Sequence, residues 1–325
     1  MKQVFQLNEI KQELEKVEIF LNNYINFSHP SIKESSRHIL QAGGKRIRPA
    51  FVLLSGSFFK DTPKDKLISL AAAVELIHMS SLVHDDVIDE ADFRRGKPTI
   101  RVLRGNKFSL HVGDYLLGQA LKLVDPKNNK EIANILSKVS VEMCQGEIQQ
   151  LVSAYDPKQS VKSYLYRIKR KTALLIAASC QIGAIAANAT PKQVYAFYKY
   201  GYYLGMAFQI KDDVLDFEAN SKTLGKPAGS DLVQGILTLP AILTLKKEDS
   251  DSKRLAELIV SKFAQGEKDL EEALKIIKTG DAIENSLNYL SKYVDLAKKQ
   301  VDYLPKCSFQ KSLFKIADYI KEREY

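Results

Sequence analysis

From Lys64 to Arg95 the chain runs without a glycine or a proline, and its apolar residues recur around the turns of a helix rather than alternating. A segment of that length is too long for a strand and long enough for a core helix. The texture repeats elsewhere: only 16 Gly and 10 Pro punctuate 325 residues. No alternating run bounded by turn signals supports a substantial sheet, so the fold expected is all-α. No Pro- or Ser-rich linker and no strong internal repeat divides the chain, which predicts a single domain over residues 1–325.

Local signals place the helices. A polar amphipathic segment spans about Leu7 to Phe27, and a second ends before Gly43-Gly44. Thr62-Pro63 reads as an N-cap followed by proline at the first helical position, opening a helix toward Asp89. Thr190-Pro191, with Gln193 three residues after the cap, predicts a capping box and a helix to about Phe217. Asp281 with Glu284 gives a similar start for a helix toward Leu304. Phe309, Leu313, Ile316, Ala317 and Ile320 share one face of a closing helix.

Composition excludes several classes. With 45% hydrophobic and 27% charged residues the chain is neither disordered nor collagenous. A net charge of +9 calls for a polyanionic partner: nucleic acid, anionic lipid or a phosphorylated small molecule. No nucleic-acid reader motif, zinc finger or sharply basic tail is present, which argues against nucleic acid. Cys144, Cys180 and Cys307 lie far apart without a CxxC pair, favouring a reducing cytoplasm over a disulfide or zinc framework. Charges at Lys2, Glu9, Lys11, Glu13, Glu15, Lys16 and Glu18 break up any signal-peptide core. The uncharged stretch Ala173 to Thr190 contains Ser179, Gln181, Gly183 and Asn188 and reads as a buried helix, so no transmembrane segment is expected.

Two helices end in the same acidic pattern, Asp85-Asp86-Val87-Ile88-Asp89 and Asp212-Asp213-Val214-Leu215-Asp216. Residues four apart on a helix lie about 40° apart and roughly 6 Å along the axis, so Asp85 with Asp89, and Asp212 with Asp216, stack on one face. One such triplet is as readily a solvated helix end. Two of them, gathered at the mouths of apolar helices, would repel unless cations neutralise them, and hard oxygen donors in such numbers select Mg²⁺ shared with substrate phosphates.

Basic residues stand beside the acids. Gly43-Gly44-Lys45-Arg46-Ile47-Arg48-Pro49 resembles a phosphate grip leading into a helix at Pro49, without the spacing of a nucleotide-binding P-loop. Arg94-Arg95-Gly96-Lys97 follows the first triplet, and Lys169-Arg170-Lys171-Thr172 opens the apolar Ala173 helix.

Together these segments, GGKRIRP, HMSSLVHDDVIDEADFRRGKPT, KRKTALLIAASCQIGAIAA, GYYLGMAFQIKDDVLDF and LGKPAGSDL, resemble the trans-polyprenyl diphosphate synthases in order and wording across about residues 40–245. The wording around His78 and Lys169 is most similar to the large catalytic subunits of the heptaprenyl-forming branch, which work with a small subunit toward the menaquinone side chain.

The resemblance implies an isoprenoid-synthase helical bundle around a central cavity. It implies that isopentenyl diphosphate condenses with an allylic diphosphate such as farnesyl diphosphate, with Mg²⁺ as three ions. Asp85, Asp89 and Asp212 would ligate directly, with Asp86, Asp213 and Asp216 supporting or binding through water. Arg94, Lys171 and Lys226 would hold the allylic diphosphate, and Lys45, Arg48, His78 and Arg95 the homoallylic one. A histidine between Ile77 and Met79 is more often a packed core residue, but its motif match and its place on the face of Asp85 favour the site. Thr172 and Gln209 would stabilise the allylic cation through their oxygens, and the released diphosphate would take the proton. A homodimer, or a heterodimer with a small subunit, follows from the same likeness, as does a transient membrane contact at product release. A terpene cyclase and a noncatalytic regulatory subunit are the rival readings. Intact second-triplet and Lys45 motifs oppose the first, and two undamaged triplets the second.

The helix of the first triplet is expected to wall the tunnel for the growing tail. Ile77, Ser80 and Ser81 lie within a few turns of Asp85, and the small serines leave the tunnel open, which favours a long product over a short one. Geranylgeranyl, hexaprenyl and octaprenyl diphosphates are the alternative products.

Overall fold

Helices form most of the backbone in the computed structural model, which describes residues 10–25, 29–59, 62–124, 129–218 and 228–323. They are α1 (Lys11–Ile25), α2 (Pro30–Gln41), α3 (Ile47–Ser57), α4 (Lys64–Ile88), α5 (Ile100–Arg104), α6 (Asn106–Leu123), α7 (Lys130–Val152), α8 (Val161–Ile168), α9 (Leu174–Ala186) and α10 (Pro191–Glu218). Helices at Ser230–Val233, Leu239–Leu245, Ser250–Val260, Glu267–Thr279, Ala282–Val301 and Ser308–Glu322 follow. The fold is all-α, as the unpunctuated runs require. Among the described residues the only sheet is a hairpin of β1 (Phe93–Arg94) and β2 (Lys97–Pro98), two residues a side, too short to leave an alternating pattern in the sequence.

Contacts divide the chain into two compact units, Met1–Ser140 with Leu175–Gly201 and Val301–Ile316, and Val141–Leu174 with Tyr202–Gln300 and Ala317–Tyr325. The first is built on α4. Leu67, Leu70, Ala71, Ala72, Ala73, Val74, Leu76 and Ile77 are all buried, so the helix is apolar all round as a central core helix must be. It is long and apolar enough to cross a membrane, yet 72% of that window is buried inside the protein. The second unit has its own core of Tyr164, Ile168, Met206, Ile210, Phe217, Leu232, Leu239, Ile242, Leu255 and Ile259.

Local signals fared differently according to where their polar atoms found partners. At Thr190 the capping box forms in both directions: Gln193 N–H donates to Thr190 Oγ1 at 3.4 Å and Thr190 N–H to Gln193 Oε1 at 2.9 Å. Thr62 does not cap. Its hydroxyl donates to the carbonyls of Gly56 and Phe59 at 3.1 Å, closing the end of α3, and Pro63 takes the N-cap position of α4 without a side-chain bond. The helix expected at Pro49 begins at Ile47, because Arg46 adopts a left-handed φ of 47° and turns the chain two residues earlier. Leu7 and Phe27, the limits expected for the first helix, lie outside the described residues.

Candidate active site

In the first unit, the end of α4 sorts the first triplet by burial. Asp85 and Asp89 are half-buried, whereas Asp86 is buried at 7% exposure and accepts a 2.6 Å bond from Arg94 Nε. Arg94 is delivered by the hairpin, whose turn residues Arg95 and Gly96 both have positive φ, 53° and 75°. The hairpin is pinned to α2 from outside: Lys97 Nζ donates to Gln41 O at 3.0 Å, and His38 Nε2 meets Pro98 O at 2.7 Å.

The same turn carries Arg95 to the glycine pair. A Cβ on Gly44 would come within 2.7 Å of Arg95 Nη1, so the guanidinium lies directly over the glycine and a larger residue there would make it shift. His78 lies among these cations. Desolvation, then the charges of Arg48, Arg95, Arg94 and Arg46, hold its imidazole well below the ordinary histidine range, so it is neutral at pH 7. Arg48, His78, Arg94 and Arg95 are thus brought together, beside exposed Lys45 on the glycine loop.

Arg46 is different in kind. It pairs with Glu18 and with buried Glu75 at 2.8 Å, and donates to Leu40 O at 3.0 Å, which ties α1, the end of α2 and α4 together. Sequence reasoning could not separate it from Arg48, two residues away. Among the chain-length candidates, Ser80 is spent on packing: its hydroxyl donates to Gly113 O of α6 at 2.8 Å. Ile77 is buried, while Ser81 is half-buried one turn before Asp85.

In the second unit, Asp212 and Asp216 are half-buried, and Asp213 is buried at 3% exposure. Tyr164 Oη donates to Asp213 Oδ2 at 2.6 Å and Gln209 Nε2 to Oδ1 at 2.8 Å. Desolvation outweighs these bonds and the attraction of Arg167, and pushes the carboxyl up to about 6. Asp216 accepts from Ser230 Oγ at 3.0 Å. Asp212 Oδ1 accepts from Arg323 Nη2 at 2.6 Å, a partner 111 residues away that no local signal announces.

Lys171 and Thr172 do not open a helix as expected. They lie in a π-helical turn, Lys169–Ala173, joining α8 to α9, where Leu174 N–H reaches back to Lys169 O. α10 approaches this turn closely, since a Cβ on Gly205 would sit 2.6 Å from Ala173 Cα. That approach lets Thr172 Oγ1 donate to Gln209 Oε1 at 2.6 Å, so a chain of bonds runs Thr172, Gln209, Asp213, Tyr164. Lys171 Nζ pairs with Glu147 at 2.7 Å. Lys226 lies outside the described residues.

Among the described residues no three His, Cys, Asp or Glu side chains converge closely enough to enclose an ion. Each triplet instead offers two half-exposed carboxylates one helical turn apart, hard donors open to water. That donor set fits Mg²⁺, which keeps several waters and completes its shell with substrate phosphate. The guanidinium seated on Asp212 shows a cation already drawn to one of these positions.

The polyprenyl synthetase family profile matches residues 29–277. Heptaprenyl diphosphate synthase component 2 of Bacillus subtilis is 44% identical over 316 residues, 97% of this chain and 89% of that protein. Its Geobacillus stearothermophilus counterpart is 43% identical, covering 97% of both. The crystal structure of heptaprenyl diphosphate synthase from Staphylococcus aureus superposes with a TM-score of 0.91 at 36% identity, over 97% of this chain and 99% of that one. A polyprenyl synthase from Caulobacter crescentus, solved with calcium and isoprenyl diphosphate, gives 0.93 at 31% identity, over 100% and 98%.

Proposed function

The chain belongs to the polyprenyl synthetase family, and we propose that it is the catalytic subunit of a trans-prenyltransferase that builds heptaprenyl diphosphate, the precursor of a menaquinone side chain, from isopentenyl diphosphate and an allylic diphosphate such as farnesyl diphosphate. The observation that carries this reading is the sorting of both triplets into a buried middle aspartate and two half-exposed outer ones, with an arginine and histidine cluster beside the first. Buried Asp86 and Asp213 are tied to protein donors, which supports a geometry-fixing role for them; Asp85, Asp89 and Asp212 would ligate directly, with Asp216 supporting or binding through water.

Arg48, Arg95, Lys45 and His78 hold the homoallylic diphosphate. A bound dianion would offset the desolvation and the arginine charges that keep His78 neutral, so binding is expected to draw a proton onto its ring. Arg94, Lys171 and Lys226 hold the allylic diphosphate. Mg²⁺, taken as three ions, supplies when bound the charge that stabilises the departing diphosphate. Thr172 donates its proton to Gln209, which leaves the hydroxyl lone pairs to face an allylic cation. The carbon–oxygen bond to diphosphate breaks, the alkene of isopentenyl diphosphate forms the new carbon–carbon bond at that carbon, and the proton then lost goes to the released diphosphate.

Partner contact fits the surface. Val141, Ile148 and Val152 of α7 are exposed and share one helical strip, as a face that meets a second copy or a small subunit would. The wide spacing of Cys144, Cys180 and Cys307 without a CxxC pair supports a reducing cytoplasm, and release of so apolar a product calls for a transient membrane contact. Mass analysis of products from farnesyl and isopentenyl diphosphates, with and without a candidate small subunit, is the test. A heptaprenyl product is expected. Fifteen-carbon product alone with all partners present would overturn the long-chain assignment, and a geranylgeranyl, hexaprenyl or octaprenyl mass would replace it.

A further inference from the structure

Arg323 ends the helix Ser308–Glu322, its backbone N–H bonded to Tyr319 O at 2.9 Å. Its guanidinium is buried, only 2% of the side chain remaining exposed. Its polar contacts among the described residues come from one turn of α10: Nη2 donates to Phe208 O at 2.8 Å and to Asp212 Oδ1 at 2.6 Å, and the group lies 4.1 Å from the Phe208 ring centroid. Its Nε is buried with no hydrogen-bond partner among the described residues. A charge taken out of water with one donor unmatched is a poor way to stabilise a helix end, since a neutral side chain of the same length would cover Phe208 without that cost. What only a cation supplies is its effect on Asp212.

We propose that Arg323 is a built-in counter-cation of the second triplet, a positioning residue that holds Asp212 and weakens the grip of the free enzyme on a divalent ion until a diphosphate arrives. The inference rests on the reading of Asp212 as a metal ligand. A positive charge 2.6 Å from the ligating carboxylate repels an incoming dication, and the opposing charge of a diphosphate outweighs it. Metal and substrate then bind together rather than in succession.

The test is a Mn²⁺ titration of the full-length protein without substrate, read by electron paramagnetic resonance of the free ion. Arg323→Gln is expected to bind Mn²⁺ about tenfold more tightly. Arg323→Lys, which keeps the charge, should match the wild type. Asp212→Asn should weaken binding, and the double variant Asp212→Asn with Arg323→Gln should lose the gain. Should Arg323→Gln fail to fold by circular dichroism, Arg323→Met keeps an apolar stem over Phe208 and should show the same tightening. Unchanged or weaker Mn²⁺ binding in the neutral Arg323 variants, with Asp212→Asn still weakened, overturns the role of Arg323 alone. Unchanged binding in Asp212→Asn overturns the reading of Asp212 as a ligand. A merely structural arginine would lower the melting temperature and leave the titration where it was.

Discussion

Asp86 and Asp213 hold the same place in their triplets and both are buried, but Asp86 accepts from the Arg94 guanidinium whereas Asp213 accepts from a phenol and an amide. Among the outer residues, Asp212 accepts from the Arg323 guanidinium. A cation bonded directly to a buried carboxylate offsets its desolvation; at Asp213 the neutral donors and the attraction of Arg167 do so only in part, and the carboxyl is pushed up to about 6. Identical spacing along two helices therefore conceals two ways of tolerating crowded carboxylates, and the distinction is made by residues outside the motif.

The largest effect should separate outer from middle residues. Asp85→Ala or Asp212→Ala is expected to lower kcat/KM for the allylic substrate by about a thousandfold. Asp213→Asn, which keeps an acceptor for Tyr164, should cost about ten- to a hundredfold, in the range of a residue that orients a ligand. Equal losses in steady-state assays would mean that the middle aspartate ligates too.

Within the basic cluster, Arg46→Met should destabilise the protein by about 3 kcal/mol in urea titrations, because it leaves buried Glu75 without its partner. Arg48→Met should change stability by under about 1 kcal/mol and instead raise the KM for isopentenyl diphosphate.

Two adjacent serines offer a finer comparison. Ser80→Phe is expected to cost about 2 kcal/mol by forcing α6 away at Gly113, whereas Ser81→Phe should leave the protein folded and shorten the product seen by mass analysis.

The smallest effect is in pH. His78 in the folded protein resists protonation, so stability falls as pH drops through 6.5, and His78→Gln should flatten that loss. Asp213, with its folded value raised to about 6, takes up a proton more readily when folded and so adds stability as pH falls below 6. Asp213→Asn should therefore steepen the acid loss by about 1 kcal/mol between pH 7 and 5 in metal-free buffer. A profile that both substitutions leave unmoved would remove the electrostatic distinction between the two units.

Where a signal was completed by neighbours in the chain, it could be read. The Thr190 and Gln193 box forms because its donors and acceptors lie within one turn. Thr62 misled because carbonyls at the end of α3 were better placed to take its hydroxyl. The aspartate triplets were legible from spacing alone, yet which member is buried depends on Arg94 from a two-residue strand and on Tyr164 from α8. The glycine loop was legible as a turn crowded with cations, but Arg46 and Arg48 are told apart only by Glu18 and Glu75. Arg323 sits too far along the chain for any window to connect it with Asp212.

The π-helical turn at Lys169–Ala173 has a bearing on how this protein could change over time. Each residue of an ordinary helix advances by about 100°, so one additional residue in a turn works like a slipped gear tooth between Tyr164 and Arg167 on one side and Thr172 on the other. Removing Arg170 would re-mesh the gear and swing Thr172 off Gln209 while leaving every aspartate intact. A descendant that lost this single codon would keep both aspartate triplets and lose the register that joins them to Thr172.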